Sequence, residues 1–130
     1  MIDPSQWHVL IVDDEPSNIG VLELVLDFHN VKTRLATSGQ ECLQMLAAER
    51  PSFLLVDIQM PGMTGYELLE NIRDNEQWQD IPVIAVTAHA MSGDEEQIIR
   101  AGFKGYIPKP VNVTSLIDDL RHILQSGGST

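Results

Sequence analysis

Residues 53–65 read Phe53-Leu54-Leu55-Val56-Asp57-Ile58-Gln59-Met60-Pro61-Gly62-Met63-Thr64-Gly65. An apolar run ends on a carboxylate, and a turn rich in proline and glycine follows almost at once. A run of this length, bounded by turn signals, is the pattern of a strand buried on both faces of a parallel sheet. Asp57 then stands where a buried strand surfaces into a loop, the edge at which open α/β sheets bind ligands. Aspartate is also a common turn residue. Its meaning therefore depends on what the other strands bring to the same edge.

Upstream, the apolar run 9–12 stops at Asp13-Asp14-Glu15, and Pro16 suits the first turn of a helix. Val21, Leu22, Val25 and Phe28 recur at helical spacing over residues 17–29, with Asn30 as a stop. Residues 31–36 alternate and are rich in β-branched side chains, as an edge strand is. Ser38-Gly39-Gln40-Glu41 has the form of a capping box ahead of a stripe of Leu43, Leu46 and Ala47. Pro51 leads into the central run.

Downstream, Thr64-Gly65-Tyr66-Glu67 repeats the capping pattern before Leu68, Leu69 and Ile72. Residues 75–80 are polar and loop-like, with Trp78 placed to fold back onto the core. The apolar run 82–87 ends on Thr87. Ser92-Gly93-Asp94-Glu95 is a third capping pattern, ahead of Ile98, Ile99 and Ala101. Gly105-Tyr106-Ile107 reads as a short strand leading to Pro108-Lys109-Pro110. Asn112 is placed to cap a last helix carrying Val113, Leu116, Ile117, Leu120, Ile123 and Leu124. Five β–α units in strict alternation predict a doubly wound α/β domain: a five-stranded parallel sheet, helices on both faces, right-handed crossovers. The domain is expected over residues 1–125, with 126–130 as a disordered Gly/Ser tail.

A chain of 130 residues with 43% hydrophobic and 21% charged side chains has the material for one globular domain. Its net charge of −11, from 19 acidic against 8 basic residues, disfavours direct nucleic-acid binding and anionic membranes. Cys42 is the single cysteine and sits among Leu43, Met45 and Leu46. It reads as a buried, inert thiol in a reducing compartment. No leader-like segment and no run of membrane-spanning length is present, so a cytoplasmic location without membrane insertion is expected. His8 and His29 lack ligand spacing and read as structural.

Four of the five apolar runs end on polar groups: Asp13-Asp14, Asp57, Thr87 and Lys109. In a parallel sheet these ends share one edge. Three carboxylates brought together repel unless a cation enters. Mg²⁺ suits such a place, because it takes one or two carboxylates, several waters and a substrate phosphate. With Mg²⁺ present, Asp57 remains ionised and able to attack phosphorus, giving an aspartyl phosphate. The Lys109 ammonium and the Thr87 hydroxyl then supply further compensation for the phosphoryl oxygens.

Taken together, Val12-Asp13-Asp14-Glu15, the segment 56–65, Ala85-Val86-Thr87-Ala88 and Gly105-Tyr106-Ile107-Pro108-Lys109-Pro110 resemble the receiver domain of two-component response regulators. The resemblance runs from about residue 9 to residue 124 and implies a flavodoxin-like fold with strand order 2-1-3-4-5. It implies that Asp57 takes a phosphoryl group from the phosphohistidine of a sensor histidine kinase or a histidine phosphotransfer protein. Asp13 and Asp14 would hold Mg²⁺ together with Asp57 and the backbone carbonyl of Gln59. Thr87 and Lys109 would contact the phosphoryl group, and Tyr106 would be the aromatic switch that turns inward when Thr87 moves. The Lys109–Pro110 bond is expected to be cis.

Gln59 and His89, two residues after Asp57 and Thr87, would tune the lifetime of the phosphoryl group. Pro16, Ile19 and Gly20 on the first helix are candidate docking contacts, with Ile19 expected to fall off the inward stripe. Met60, Met63 and Met91 border the site. The product would be an altered surface read by a downstream protein target, so the chain is a signalling module that catalyses its own phosphorylation and dephosphorylation rather than an enzyme. Both a stand-alone regulator and one domain of a hybrid kinase or longer regulator fit this sequence.

Three rivals stand beside that reading. A flavin-binding fold relative would need a Ser/Thr/Gly-rich phosphate loop after the first strand, where this chain has carboxylates. An acid-nucleophile phosphatase would carry Asp-x-Asp at the end of the first strand, whereas Asp13 and Asp14 are adjacent. A degenerate receiver that binds partners without phosphorylation would have no need of the key side chains, all of which are present.

Overall fold

The apolar runs become the strands and the periodic segments the helices. A computed structural model describes residues 3–88 and 94–126. The elements are β1 (His8–Val12), α1 (Pro16–Phe28), β2 (Lys32–Ala36), α2 (Gly39–Ala48), β3 (Phe53–Asp57), α3 (Gly65–Arg73), β4 (Val83–Thr87), α4 (Asp94–Ala101), β5 (Gly105–Pro108) and α5 (Leu116–Ser126). Short 3₁₀ turns at Pro4–Gln6 and Glu76–Trp78 complete the connections. All pairings are parallel and the strand order is β2-β1-β3-β4-β5, as expected. Residues 1–2, the stretch 89–93 with its capping pattern, and the tail from 127 lie outside the described residues.

Every residue of β3 and β4 is buried, whereas β2 is mostly half-exposed. That is the difference between central and edge strands of a sheet covered on both faces. The strand period of two divides the core. Leu10, Val12, Leu54, Val56, Val83 and Ala85 face α2, α3 and α4, packing with Cys42, Leu68, Leu69, Ile72, Ile98 and Phe103. Val9, Ile11, Phe53, Leu55, Ile84 and Val86 face α1 and α5, packing with Leu22, Val25, Leu26, Leu116 and Leu120. Trp7 closes that second layer edge-on against Phe53, with ring centroids 5.3 Å apart. Cys42 is fully buried, and desolvation pushes its thiol up to about 12, which makes it inert. Trp78 is half-buried against the core, as expected.

The caps form with one variation. Thr64 and Glu67 make the reciprocal box at α3. At α2, Ser38 Oγ accepts from the Glu41 N–H (3.1 Å), but the Glu41 carboxylate reaches one residue further back, to the N–H and hydroxyl of Thr37 (2.6 and 3.0 Å). Asn30 adopts a positive φ of 62°, the left-handed turn that ends α1.

Three expectations are corrected here. On α1, Phe28 is 82% and Val21 36% exposed, while Ile19 and Leu26 are buried. Seven of the thirteen residues of α1 are apolar, so more than one stripe fits a helical period. Packing against α5 and Trp7 selects the one through Ile19, Leu22, Val25 and Leu26. On α4, Ile98 is buried and Ile99 half-exposed. At the last helix, the Asn112 side chain accepts from the N–H groups of Thr114 (3.0 Å) and Ser115 (3.3 Å). It caps a turn; α5 itself starts at Leu116, and Val113 is left half-exposed. Among the described residues no helix is long and apolar enough to cross a membrane.

Candidate functional site

Strand registry gathers the site. Val12 stands opposite both Ala36 and Val56, Asp57 opposite Val86, and Thr87 opposite Pro108. The residues that follow β1, end β3, end β4 and follow β5 therefore meet at one edge. Asp13 is 1% exposed; its N–H donates to the Ala36 carbonyl (3.1 Å), and its Oδ1 accepts from the Glu15 N–H (2.9 Å). These bonds extend the strand by one residue and then turn the chain into α1. Asp57 is 5% exposed, and its Oδ1 accepts from the Gln59 N–H at 3.1 Å. Lys109 is anchored by its own N–H, which donates to the Thr87 carbonyl (2.8 Å), and is followed by a cis bond to Pro110. From there Nζ reaches Asp57 Oδ1 at 3.2 Å and Asp13 Oδ2 at 3.7 Å. Thr87 is buried at the same edge.

The charges at this edge do not balance. Ligand-capable oxygens of Asp13, Asp14 and Asp57 all lie within 4.8 Å of one another. Among the described residues, Lys109 is the cation paired with Asp13 and Asp57. Asp13 Oδ2 is buried and has no hydrogen bond among the described residues. Burial pushes the Asp13 carboxyl above its usual range; the neighbouring Asp57 and Asp14 carboxylates add to this, while the Glu15 N–H and Lys109 oppose it. Buried polar atoms in folded proteins are nearly always satisfied. A cluster of hard oxygen donors with one left over fits a small divalent cation such as Mg²⁺.

The remaining expected residues fall in three groups. Tyr106, on β5 opposite Ala85, is half-buried, and its hydroxyl donates to the Glu95 carboxylate on α4. That hydrogen bond, with some desolvation, raises the phenol above its ordinary pKa. Gln59, Pro16 and Gly20 are exposed beside the edge. Ile19 is not: it is 7% exposed and turned into the molecule, so it offers no docking contact. Met60 is buried and Met63 half-buried, its sulfur packed where a Cβ on Gly39 would stand, so both serve loop packing. His89 and Met91 lie outside the described residues.

Two participants escaped the sequence reading. The Glu15 N–H that holds Asp13 has a local signal, an aspartate two residues before the N-cap of α1. Glu95 as the partner of Tyr106 has none, since the two are joined only by the packing of α4 on β5.

Fold and site together define a flavodoxin-like α/β protein with an acidic, lysine-bearing cluster at the carboxyl edge of its sheet. Comparison with known proteins places it more closely: the response regulator receiver domain model matches residues 9–121, and the chain belongs to that family. The polar-differentiation response regulator DivK of Brucella ovis is 37% identical over 116 residues, covering 89% of this chain and 94% of its own. The receiver domain of the sensor histidine kinase PA1611 of Pseudomonas aeruginosa, solved with a magnesium ion coordinated in its active-site cleft, superposes with a TM-score of 0.82 at 30% identity over 92% of this chain and 98% of its own. Chemotaxis response regulator CheY4 of Vibrio cholerae gives 0.83 at 26% identity, over 90% and 98%.

Proposed function

We propose that this receiver domain is a phosphorylation-operated switch in which Asp57 is the phosphoacceptor. The observation that carries the reading is the unbalanced edge among the described residues: three clustered carboxylates, one lysine between two of them, and a buried Asp13 oxygen without a hydrogen bond. A carboxylate oxygen of Asp57 attacks the phosphorus of a phosphohistidine; the O–P bond forms, the P–N bond breaks, and the imidazole leaves. Asp13, Asp14, Asp57 and the Gln59 carbonyl would hold Mg²⁺, which supplies compensation for the phosphoryl charge when bound. Lys109, 3.2 Å from Asp57, binds a phosphoryl oxygen, and the Gln59 N–H keeps the carboxylate oriented during approach. Dephosphorylation by water reverses the modification; Gln59, beside the site, and His89, two residues after Thr87 in the sequence, set its rate.

The output follows from Thr87 and Tyr106. The Thr87 hydroxyl turns to the phosphoryl group and vacates space near β5, and Tyr106 exchanges its Glu95 hydrogen bond for an inward position. That biases a two-state surface formed by α4 and β5. The donor is a sensor histidine kinase or a histidine phosphotransfer protein, docking on the exposed Pro16 and Gly20 beside the edge. The reader is a downstream protein. With a net charge of −11, direct nucleic-acid contact has no electrostatic support. The single, buried thiol fits a cytoplasmic setting.

Intact mass after incubation with a small acyl phosphate and Mg²⁺ tests this. The unmutated chain is expected to gain one phosphoryl group, and Asp57→Asn and a metal-chelated sample none. Equal gain in Asp57→Asn would move the acceptor elsewhere. No gain in any sample would favour a receiver that binds partners without phosphorylation.

A further inference from the structure

Helix α3 starts against the strand that carries Asp57. The Gly65 N–H donates to the Ile58 carbonyl at 2.9 Å, which pins the first residue of α3 just beyond Asp57. A Cβ on Gly65 would stand 2.7 Å from Ile58 Cα, 2.8 Å from the Asp57 carbonyl oxygen and 3.3 Å from the Asp57 carbonyl carbon. Carbon atoms in contact prefer about 3.5–4.0 Å. All three obstructing atoms are backbone, and all belong to the peptide unit joining Asp57 to Ile58. No rotamer change relieves the clash. At Gly39 the obstructing atoms belong to the Met63 side chain, and at Gly20 and Gly62 nothing lies within 4 Å.

Nor does α3 withdraw freely. Its first turn is held by the reciprocal bonds of Thr64 and Glu67, and Leu68, Leu69 and Ile72 are buried beneath it. The peptide is the element that yields. Asp57 Oδ1 depends on two contacts, the Gln59 N–H at 3.1 Å and Lys109 Nζ at 3.2 Å, and tilting the Asp57–Ile58 peptide moves the carboxylate and that N–H relative to Lys109 and Asp13.

We propose that Gly65 is a positioning residue: its missing side chain lets the first turn of α3 bear directly on the Asp57–Ile58 peptide and so fixes where the Asp57 carboxylate stands. The catalytic consequence rests on the reading of Asp57 as phosphoacceptor; the geometric one does not. A misplacement of about 1 Å at a reacting group costs roughly a hundredfold in rate.

The test uses the full chain, Gly65→Ala beside Leu69→Ala, a variant that loosens the same helix from its buried side without touching the peptide. Two readouts are taken well below the melting point of each: the amide resonance of Gln59, and the maximal rate of phosphorylation by a small acyl phosphate at saturating Mg²⁺. Gly65→Ala is expected to shift the Gln59 resonance and to slow phosphorylation roughly ten- to a hundredfold, while Leu69→Ala lowers the melting temperature and leaves both readouts in place. A Gly65→Ala variant with an unmoved Gln59 amide and the unmutated rate overturns the proposal, as does an equal loss in Leu69→Ala. If Gly65→Ala does not fold in plain buffer, both readouts are taken in an excluded osmolyte such as TMAO, which favours the folded state; a refolded variant with an unmoved Gln59 amide and the unmutated rate overturns the proposal. If the unmutated chain takes no phosphoryl group, the phosphoacceptor reading fails, and the Gln59 shift still decides the geometry.

Discussion

The two ends of the same strands treat polar groups in opposite ways. Around the start of β1, polar groups satisfy one another. Arg34 Nε donates to His8 Nε2 (2.9 Å), Arg34 Nη2 donates to the Glu49 carbonyl (2.8 Å), and His8 Nδ1 faces the Glu49 carboxylate at 3.4 Å. His8 and Ser52 exchange two further bonds, and Arg50 joins Asp80 and the Gln77 carbonyl. At the carboxyl edge, three carboxylates cluster, Lys109 pairs with two of them, and among the described residues a buried Asp13 oxygen has no hydrogen bond. The groups around His8 pair with one another, whereas the carboxyl edge gathers more carboxylates than cations among the described residues. Functional sites retain such local conflicts at the expense of stability.

That contrast has a sign that mutation reverses. In metal-free buffer, Asp13→Asn removes a buried carboxylate repelled by its neighbours, keeps the acceptor for the Glu15 N–H, and is expected to raise the melting temperature by about 4 °C, roughly 1 kcal/mol. Arg34→Met at the other end strands His8 Nε2 and the Glu49 carbonyl, and is expected to lower it by about as much. Thermal unfolding of the two variants side by side checks the pair. A loss of stability in Asp13→Asn would break the comparison, because the carboxyl edge would then be as well satisfied as the other.

A smaller effect sharpens the same contrast. His8 accepts from Arg34 through Nε2, so in the fold it is a neutral ring with its proton at Nδ1 towards Glu49. Desolvation lowers its pKa, with Arg34 and Lys32 adding to that and Glu49 opposing it. A histidine whose folded pKa is depressed contributes stability that is complete above its unfolded value and lost as pH falls through the folded one. The ring of His8, followed by NMR, is therefore expected to titrate below 6.5, the ordinary value. Between pH 7 and 5 the chain is expected to lose stability that a His8→Asn variant does not lose. Titration above the ordinary value would show that Glu49 outweighs burial and Arg34.

Much of this was legible in the sequence, for a definite reason. A strand buried on both faces is a continuous apolar run, so the first polar residue after it marks the edge. Asp13, Asp57, Thr87 and Lys109 follow from that rule, and parallel alternation puts them together. The facing of α1 was not legible. With apolar residues on nearly every side, Val21 and Phe28 fit a stripe as well as Ile19 and Leu26 do, and only the contacts of Trp7 and α5 decide between them. The start of α5 was misplaced because Asn112 caps a turn before the helix begins. The Arg34–His8–Glu49 group and the Tyr106–Glu95 bond join residues far apart in the chain, where no local pattern reaches. Gly65 sat in plain view within the motif, but its use depends on a 2.7 Å approach that only coordinates show.

The central claim is that the carboxyl edge is left short of positive charge and is completed by a cation. The most direct test is a Mg²⁺ titration of the unphosphorylated chain, followed through the amide resonances of Asp14, Asp57 and Gln59 with the melting temperature measured alongside. The account predicts saturable shifts at these residues and a melting temperature that climbs with Mg²⁺ concentration, both lost in Asp13→Asn. Shifts that never saturate, or a response unchanged by Asp13→Asn, would contradict it.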